Sequence, residues 1–186
     1  MKKNLLFLLF IVLAASCGTT KTIDTKNIEL SFLDDFILPE NLEIDGTKVG
    51  GLSGIDHYDG IYYLVCDHPG NPRFYQANIE IDQKKIDTVL IYEMIELDRS
   101  SEFFKNNTLD LESIRYNPEK NELVLSSEGS INNGKDPSIF HVTPNGEFLL
   151  NYSLPDYFSA SGEQKPRNNG VFEGLAESLD KSGLFD

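Results

Sequence analysis

The feature that most constrains the fold is an internal repeat of about 60 residues. One short motif occurs three times, at residues 51–55, 110–114 and 171–175. The aliphatic residues that end the three copies, Ile55, Ile114 and Leu175, lie 59 and 61 residues apart. A period of this size indicates copies of one supersecondary unit that pack against each other.

Each unit is predicted to contain antiparallel β-strands. Segments rich in β-branched and aromatic residues are separated by Gly, Asn, Asp and Pro turns, which favours strands. The predicted strands cover residues 28–32, 61–65, 74–79, 88–92, 122–126, 138–142 and 147–152. A single helical turn is expected over residues 100–105.

A four-stranded unit repeated at this spacing is typical of a β-propeller blade. The fold class is therefore predicted as all-β, a propeller of four-stranded antiparallel blades. Propellers need about four to eight blades to close. Residues 28–186 hold about two and a half, so we expect an incomplete propeller whose third unit stops as its second strand begins, near Leu184. A complete small β-sandwich is the alternative.

The N-terminus has the pattern of an export signal. Lys2 and Lys3 precede an apolar run over residues 5–13, and small residues then lead to Cys17. Residues 14–17 resemble a lipobox, so we expect cleavage after residue 16 and lipidation of Cys17. The alternative is an ordinary secretory leader with an incidental cysteine.

Lipidation would anchor the chain to a membrane through Cys17, because two or three acyl chains bind bilayers firmly. Residues 17–27 then form the lipidated cysteine and a flexible tether. Gly18 after the cysteine is compatible with an outer-membrane location. The only other cysteine, Cys66, lies in a strand-like run and is expected to be buried.

The charge of the chain limits its partners. The formal net charge is −14, and it becomes −16 without Lys2 and Lys3. Such a surface repels nucleic acid, so no nucleic-acid partner is expected. It also repels a phosphate-bearing ligand unless a cation intervenes.

The repeat places acidic residues in two shared registers. Glu112 and Glu173 occupy one position of the repeat, where the first copy has Ser53, and Asp67 and Glu128 occupy another. Carboxylates that converge repel each other unless they are protonated or bridged by a cation. Oxygen-only ligands suit calcium or magnesium. The alternative role of these carboxylates is to accept hydrogen bonds that lock neighbouring units. The predicted metal ligands are Asp67, Asp110, Glu112, Glu128 and Glu173.

Other catalytic motifs are missing from the sequence. The three histidines, His57, His68 and His141, lack zinc-site spacing and are predicted to lie in turns or at the surface. Ser53 does not stand in a G-x-S-x-G motif, which argues against an α/β-hydrolase.

Three segments, at residues 50–56, 110–114 and 167–176, resemble the family called esterase-like activity of phytase. The resemblance covers roughly Val49 to the C-terminus. It implies a propeller related to bacterial phytases, which use calcium in an acidic cavity to hold phosphate and activate water. It also implies catalytic roles for Glu112 and Glu173.

Two functions are consistent with these patterns. The first is a metal-dependent hydrolase at the cell envelope, acting on a small phosphoester or another ester. Calcium would be its cofactor, and Arg73 and Arg167 would bind the oxygens of the substrate. The second is a non-catalytic propeller that binds a partner, a glycan or a small ligand.

Overall fold

The computed structural model describes residues 29–178 and 183–185. The chain divides into two compact units, residues 1–33 and 34–186. In the first unit, residues 29–33 contain no strand, so the strand predicted over residues 28–32 is wrong for its described part. Residue 28, the leader and Cys17 lie outside the described residues. No helix in the described ranges is long and apolar enough to cross a membrane.

The second unit is all-β and contains two four-stranded antiparallel sheets. The strands are β1 (Glu43–Ile44), β2 (Thr47–Lys48), β3 (Leu52–Tyr58), β4 (Ile61–Cys66), β5 (Arg73–Asp82), β6 (Lys85–Glu96), β7 (Leu111–Asn117), β8 (Glu122–Ser127), β9 (Ser138–Val142), β10 (Phe148–Asn151), β11 (Ala176–Glu177) and β12 (Leu184–Phe185). Sheet 1 has the order β3-β4-β5-β6 and sheet 2 the order β10-β9-β8-β7, so each strand pairs with its neighbour in sequence. The pairs β1-β2 and β11-β12 form two short hairpins.

Within the described residues, helical structure is confined to short turns. The helix α1 (Glu102–Asn106) begins after Ser101, whose side chain accepts a hydrogen bond from the amide of Phe104. This confirms the helical turn predicted between the two sheets. Two 3₁₀ turns follow, at Ile131–Asn133 and Asp156–Phe158.

The sequence repeat is a structural repeat. The amide of Asp67 donates to the carbonyl of Gly51, and at the equivalent positions the amide of Glu128 donates to the carbonyl of Asp110. Both first strands also carry a register shift at the same place, between Leu52 and Gly54 in β3 and between Leu111 and Ser113 in β7. The third copy begins the same way, because β11 pairs with β12 at residues 184–185.

The main core lies between the two sheets. One face of sheet 1 packs against one face of sheet 2, and side chains from the α1 connection fill the space between them. The buried residues are Tyr63, Val65, Phe74, Ile95, Leu97, Phe104, Leu109, Leu111, Ile114, Leu123, Leu125, Phe140 and Val142. This burial fixes the relative position of the two first strands, β3 and β7.

The first strands approach closely at Gly54. A Cβ on Gly54 would lie 2.7 Å from the carbonyl oxygen of Glu112, so only glycine fits there. Next to it, the Ser53 hydroxyl donates to the carbonyl of Leu111 at 2.8 Å. These contacts hold the two repeats in register.

The other face of sheet 1 is covered by the segment that precedes it. Leu38, Leu42, Ile44 and Val49 pack over a second cluster of buried side chains. That cluster consists of Leu64, Cys66, Tyr75, Ala77 and Ile91.

The aliphatic residue of the repeat is not equally buried in its three copies. Ile114 is 0% exposed and Leu175 is 2% exposed, whereas Ile55 is 50% exposed. The later two copies pack against the sheet before them. The segment that covers sheet 1 does not cover β3, the strand that carries Ile55, so this side chain remains half exposed.

Candidate metal centre

An open cavity of about 420 Å³ lies where the two sheets and the third repeat meet. Its walls are polar and strongly acidic. The lining residues are Asp67, Asp110, Glu112, Glu128, Gly129, Ser130, Asn168, Asn169 and Glu173. We call it the acidic cavity. It contains all five of the acidic residues that the sequence suggested as metal ligands.

The backbone directs Glu112 into this cavity. The register shift between Leu111 and Ser113 leaves Glu112 without a partner on β8, as in a β-bulge. Bulges of this kind change the direction in which one side chain points. Ser53 occupies the same bulge in sheet 1 but does not line the cavity, because its hydroxyl bonds to Leu111.

Three carboxylates form a tight group. One oxygen each from Asp67, Asp110 and Glu112 lie within 4.8 Å of one another, a geometry that could hold a metal ion. Oδ1 of Asp110 is buried and has no hydrogen-bond partner among the described residues. A buried oxygen without a partner is costly unless a proton or a cation satisfies it. The donor set therefore fits a hard divalent cation.

Burial and mutual repulsion change the acidity of this group. Desolvation, together with the nearby negative charges of Asp67, Glu173, Glu128 and Asp110, raises the pKa of Glu112 to about 8. Desolvation, together with a hydrogen bond to Asp67 and the negative charges of Asp67 and Glu128, raises the pKa of Asp110 to about 7. At neutral pH without a cation, protons therefore occupy these sites in part.

The remaining two acidic residues have different surroundings. Glu128 is buried, and its Oε2 accepts a hydrogen bond from the amide of Gly170 at 2.7 Å. It therefore holds the loop of the third repeat against sheet 2. Glu173 is exposed and lies in the cavity wall, open to a ligand.

The two arginines suggested as substrate ligands do not line the acidic cavity. Arg167 is exposed, and its Nη2 donates to the carbonyl of Gly170 at 2.8 Å. Arg73 is buried, only 3% exposed, and lines a different cavity. None of the described residues that line the acidic cavity is basic.

Two of the three histidines lie at the surface or in a turn, as predicted, and one does not. His57 is exposed near the end of β3 and accepts from the amide of Gly60, and His68 is exposed in the turn after β4 and accepts from the amide of Asn71. His141 is instead buried, with Nδ1 2.9 Å from Glu122 and Nε2 3.0 Å from the hydroxyl of Tyr152. The expectation of a turn or surface position is wrong for His141.

Sequence reasoning missed the polar wall opposite the carboxylates. Ser130, Asn168 and Asn169 line the cavity beside Gly129. The Asn168 side chain accepts from the amide of Asn132, which fixes this wall to the turn after β8. Asn168 and Asn169 lie just before the third copy of the repeat, and this position is the sequence signal by which they could have been recognised as cavity residues.

Comparison with known proteins gives one match. The family model Phytase-like, described as esterase-like activity of phytase, matches residues 47–185. No curated protein and no solved structure matches this chain. The match covers more than half of the chain and includes both sheets and the acidic cavity. The chain therefore belongs to the family described as esterase-like activity of phytase.

Proposed function

We propose that this chain is a metal-dependent hydrolase that acts on a phosphoester or another ester. The observation that carries the proposal is the group formed by Asp67, Asp110 and Glu112, with its buried unpartnered oxygen. Membership of the phytase-like family supports hydrolysis. Calcium is the proposed ion, because its large, flexible coordination sphere accepts several carboxylates.

The chain's own residues would take distinct roles. A cation held by Asp67, Asp110 and Glu112 would polarise the ester and its attacking water. Glu173 lies exposed in the same cavity and is the proposed base that receives the proton of this water. Glu128 is already hydrogen-bonded to Gly170 and acts as a positioning residue.

Calcium titration of the full chain tests the metal site. Glu112→Gln keeps the shape of the side chain but removes its charge, and we expect calcium affinity to fall about tenfold or more. Glu173→Gln should weaken binding less, because that side chain is exposed. Glu147→Gln, an exposed residue outside the cavity, is the matched control. Equal calcium binding by the parent and Glu112→Gln would contradict the site.

Release of p-nitrophenol from its phosphate and acetate esters tests the reaction. Turnover should require calcium, stop in chelator, and fall strongly in Glu173→Gln. Turnover that persists in excess chelator would contradict metal dependence.

A second function has one observation in its favour. The acidic cavity has no basic side chain among its described lining residues, so with these residues a phosphate there would depend on the cation alone. This favours a non-catalytic domain that binds a partner, a glycan or a small ligand. Calcium binding without turnover of either ester would support this second function over the first.

We propose that the two sheets are blades of a β-propeller. The equivalent hydrogen bonds of Asp67 and Glu128 support it, as does the approach of β3 and β7 at Gly54. The exposure of Ile55, at a position buried in the other copies, leaves a face for a further blade.

We also propose an envelope location, with Cys17 lipidated and residues 17–27 acting as the tether. The support is the sequence pattern of residues 1–17 alone. An exported hydrolase anchored in this way would meet small esters outside the cytoplasm, and its outer-membrane placement rests on Gly18.

A further inference from the structure

A second cavity, of about 390 Å³, shares Asp67 with the acidic cavity but has otherwise different lining residues. We call it the Arg73 cavity. Its lining residues are Thr47, Lys48, Val49, Gly50, Gly51, Asp67, His68, Asn71 and Arg73. The loop from β2 to β3 forms one wall, and the turn after β4 forms the other. Asp67 is the residue that the two cavities share.

Arg73 is a buried cation in the wall of this cavity. Its Nε donates to the hydroxyl of Tyr75 at 2.6 Å, and Nη1 donates to the carbonyl of Asn71 at 2.8 Å. Nη2 lies 3.3 Å from the carbonyl of Lys48. A guanidinium has five N–H donors, so these contacts leave two of them without a partner among the described residues.

Among the residues that the structure describes, no carboxylate lies in salt-bridge contact with this guanidinium. The close contacts between basic and acidic side chains within residues 29–178 and 183–185 join Lys105 to Glu102 and His141 to Glu122, and neither involves Arg73. Burial raises the pKa of Tyr75 and also that of the Cys66 thiol, so both neighbours are neutral at neutral pH. A buried charge without a counter-ion is costly.

Asp67 does not serve as this counter-ion. Its carboxylate lies within 4.8 Å of those of Asp110 and Glu112, on the side of the acidic cavity. Glu96 lies at the rim, where its Oε1 accepts from the Asn71 side chain at 2.8 Å. The missing negative charge is thus the property that an anionic ligand would supply.

We propose that the Arg73 cavity binds an oxyanion of the phosphate class. The planar guanidinium, with two free N–H groups, matches the spacing of phosphate oxygens. Gly50 and Gly51 line the same cavity, and their amides donate to no acceptor among the described residues. This inference rests on the proposed function and deepens it. The ligand would be an ester that carries a second anionic group.

The test is titration of the full chain with inorganic phosphate in chelator, followed by NMR of the backbone amides. We expect saturable shifts at Gly50, Gly51 and Asn71. Arg73→Gln should weaken binding about tenfold or more, since it removes a charge-assisted contact. Arg99→Gln is the matched control, because this substitution removes the same charge from an exposed residue on the adjacent segment.

A second variant guards against loss of folding in Arg73→Gln. A Cβ on Gly50 meets no atom within 4 Å, so Gly50→Phe adds a ring at the cavity wall while Arg73 stays in place. This variant should keep the thermal unfolding midpoint of the parent and lose phosphate binding. Shifts that persist in Gly50→Phe, or no saturable shifts in the parent, would overturn the proposal.

The outcome also separates this inference from the proposed function. Phosphate binding that requires calcium and disappears in Glu112→Gln would place the anion on the cation, and would overturn the role of Arg73. Phosphate binding in chelator, from a chain that binds no calcium, would uphold the Arg73 cavity while the metal-dependent hydrolase fails.

Discussion

At the scale of single residues, the acidic cavity is a site where protonation and folding are linked. The pKa of Glu112, about 8, and that of Asp110, about 7, lie well above their ordinary values of 4.5 and 3.8. At a pH between the ordinary pKa and the raised pKa of each carboxyl group, the folded chain holds a proton that the unfolded chain has released. The free energy of unfolding therefore decreases as pH rises through this window.

This linkage predicts a pH-dependent thermal stability. In chelator, the unfolding midpoint should fall between about pH 5 and pH 8.5, because deprotonation leaves repelling, desolvated carboxylates. Glu112→Gln, which cannot ionise, should flatten that fall. Thermal unfolding followed by circular dichroism at several pH values measures both. A midpoint with the same pH dependence in parent and variant would contradict the coupling.

The sequence predicted which acidic residues share a position, but not how they are arranged. Glu112 and Glu173 occur at one place in the repeat, and Asp67 and Glu128 at another, and the four meet in one cavity. The burial of Glu112 and Glu128 depends on the loop of the third repeat, which no pattern in the sequence reveals. The burial of Arg73 was likewise unpredictable, because the β2–β3 loop that buries it is distant in sequence.

The residue type of His141 did not indicate that its ring is buried. Gln76 occupies the equivalent position in sheet 1 and accepts a hydrogen bond from the hydroxyl of Tyr92 at 3.1 Å. His141 makes the matching contact to Tyr152 in sheet 2. Comparison of the two copies would have placed this ring inside a cross-strand hydrogen bond.

At the scale of elements, the second, third and fourth strands of both sheets were predicted because β-branched and aromatic residues mark them. The first strands, β3 and β7, were identified only as copies of the repeat motif and were given no predicted strand range. The hairpin of β5 and β6 extends beyond its predicted strands. Residues 80–86 are largely polar and exposed, so they lack the alternation that signals a strand. Gln83 and Lys84 form the turn with positive φ of 46° and 71°, without the glycine or asparagine usually found there.

The contact between first strands gives a prediction at this scale. Gly54→Ala would place a methyl group 2.7 Å from a backbone oxygen of Glu112 and force β3 and β7 apart. We expect a loss of about 1–3 kcal/mol in the free energy of unfolding, as for other overpacked sites. Urea unfolding measures it.

The control is Gly50→Ala, since a Cβ at Gly50 meets open space and the backbone there is not left-handed. That variant should match the parent within about 0.5 kcal/mol. Equal stability of the two alanine variants would show that β3 and β7 are not held as closely as described.

At the scale of the whole molecule, the fold class was predictable because the repeat period and the strand patterns agree. Two complete units and the first strand pair of a third are present, as the motif spacing implied. The segment 38–49, which covers the outer face of sheet 1, carries no repeat signal and was not predicted. A closed ring of blades that includes both sheets is part of the propeller proposal.

The proposed anchor gives the last prediction. If Cys17 is lipidated, the mature protein from a lipoprotein-processing bacterium should lack residues 1–16 and carry acyl chains on Cys17. Mass spectrometry of the detergent-extracted protein measures this. Cys17→Ser should release the protein from the membrane fraction. An intact Met1, or an unmodified Cys17 in the membrane-bound protein, would contradict the anchor.

The neighbour-to-neighbour strand order has a consequence for how the chain acquires its structure. Every strand in both sheets pairs with the strand next to it in sequence. Each sheet can therefore form from short loop closures, which are kinetically accessible even for β-proteins. All of sheet 1 precedes sheet 2 in the chain, so sheet 1 can form without the residues that follow it, whereas the acidic cavity needs residues from all three repeats. We therefore expect the acidic cavity to be completed only after both sheets have formed.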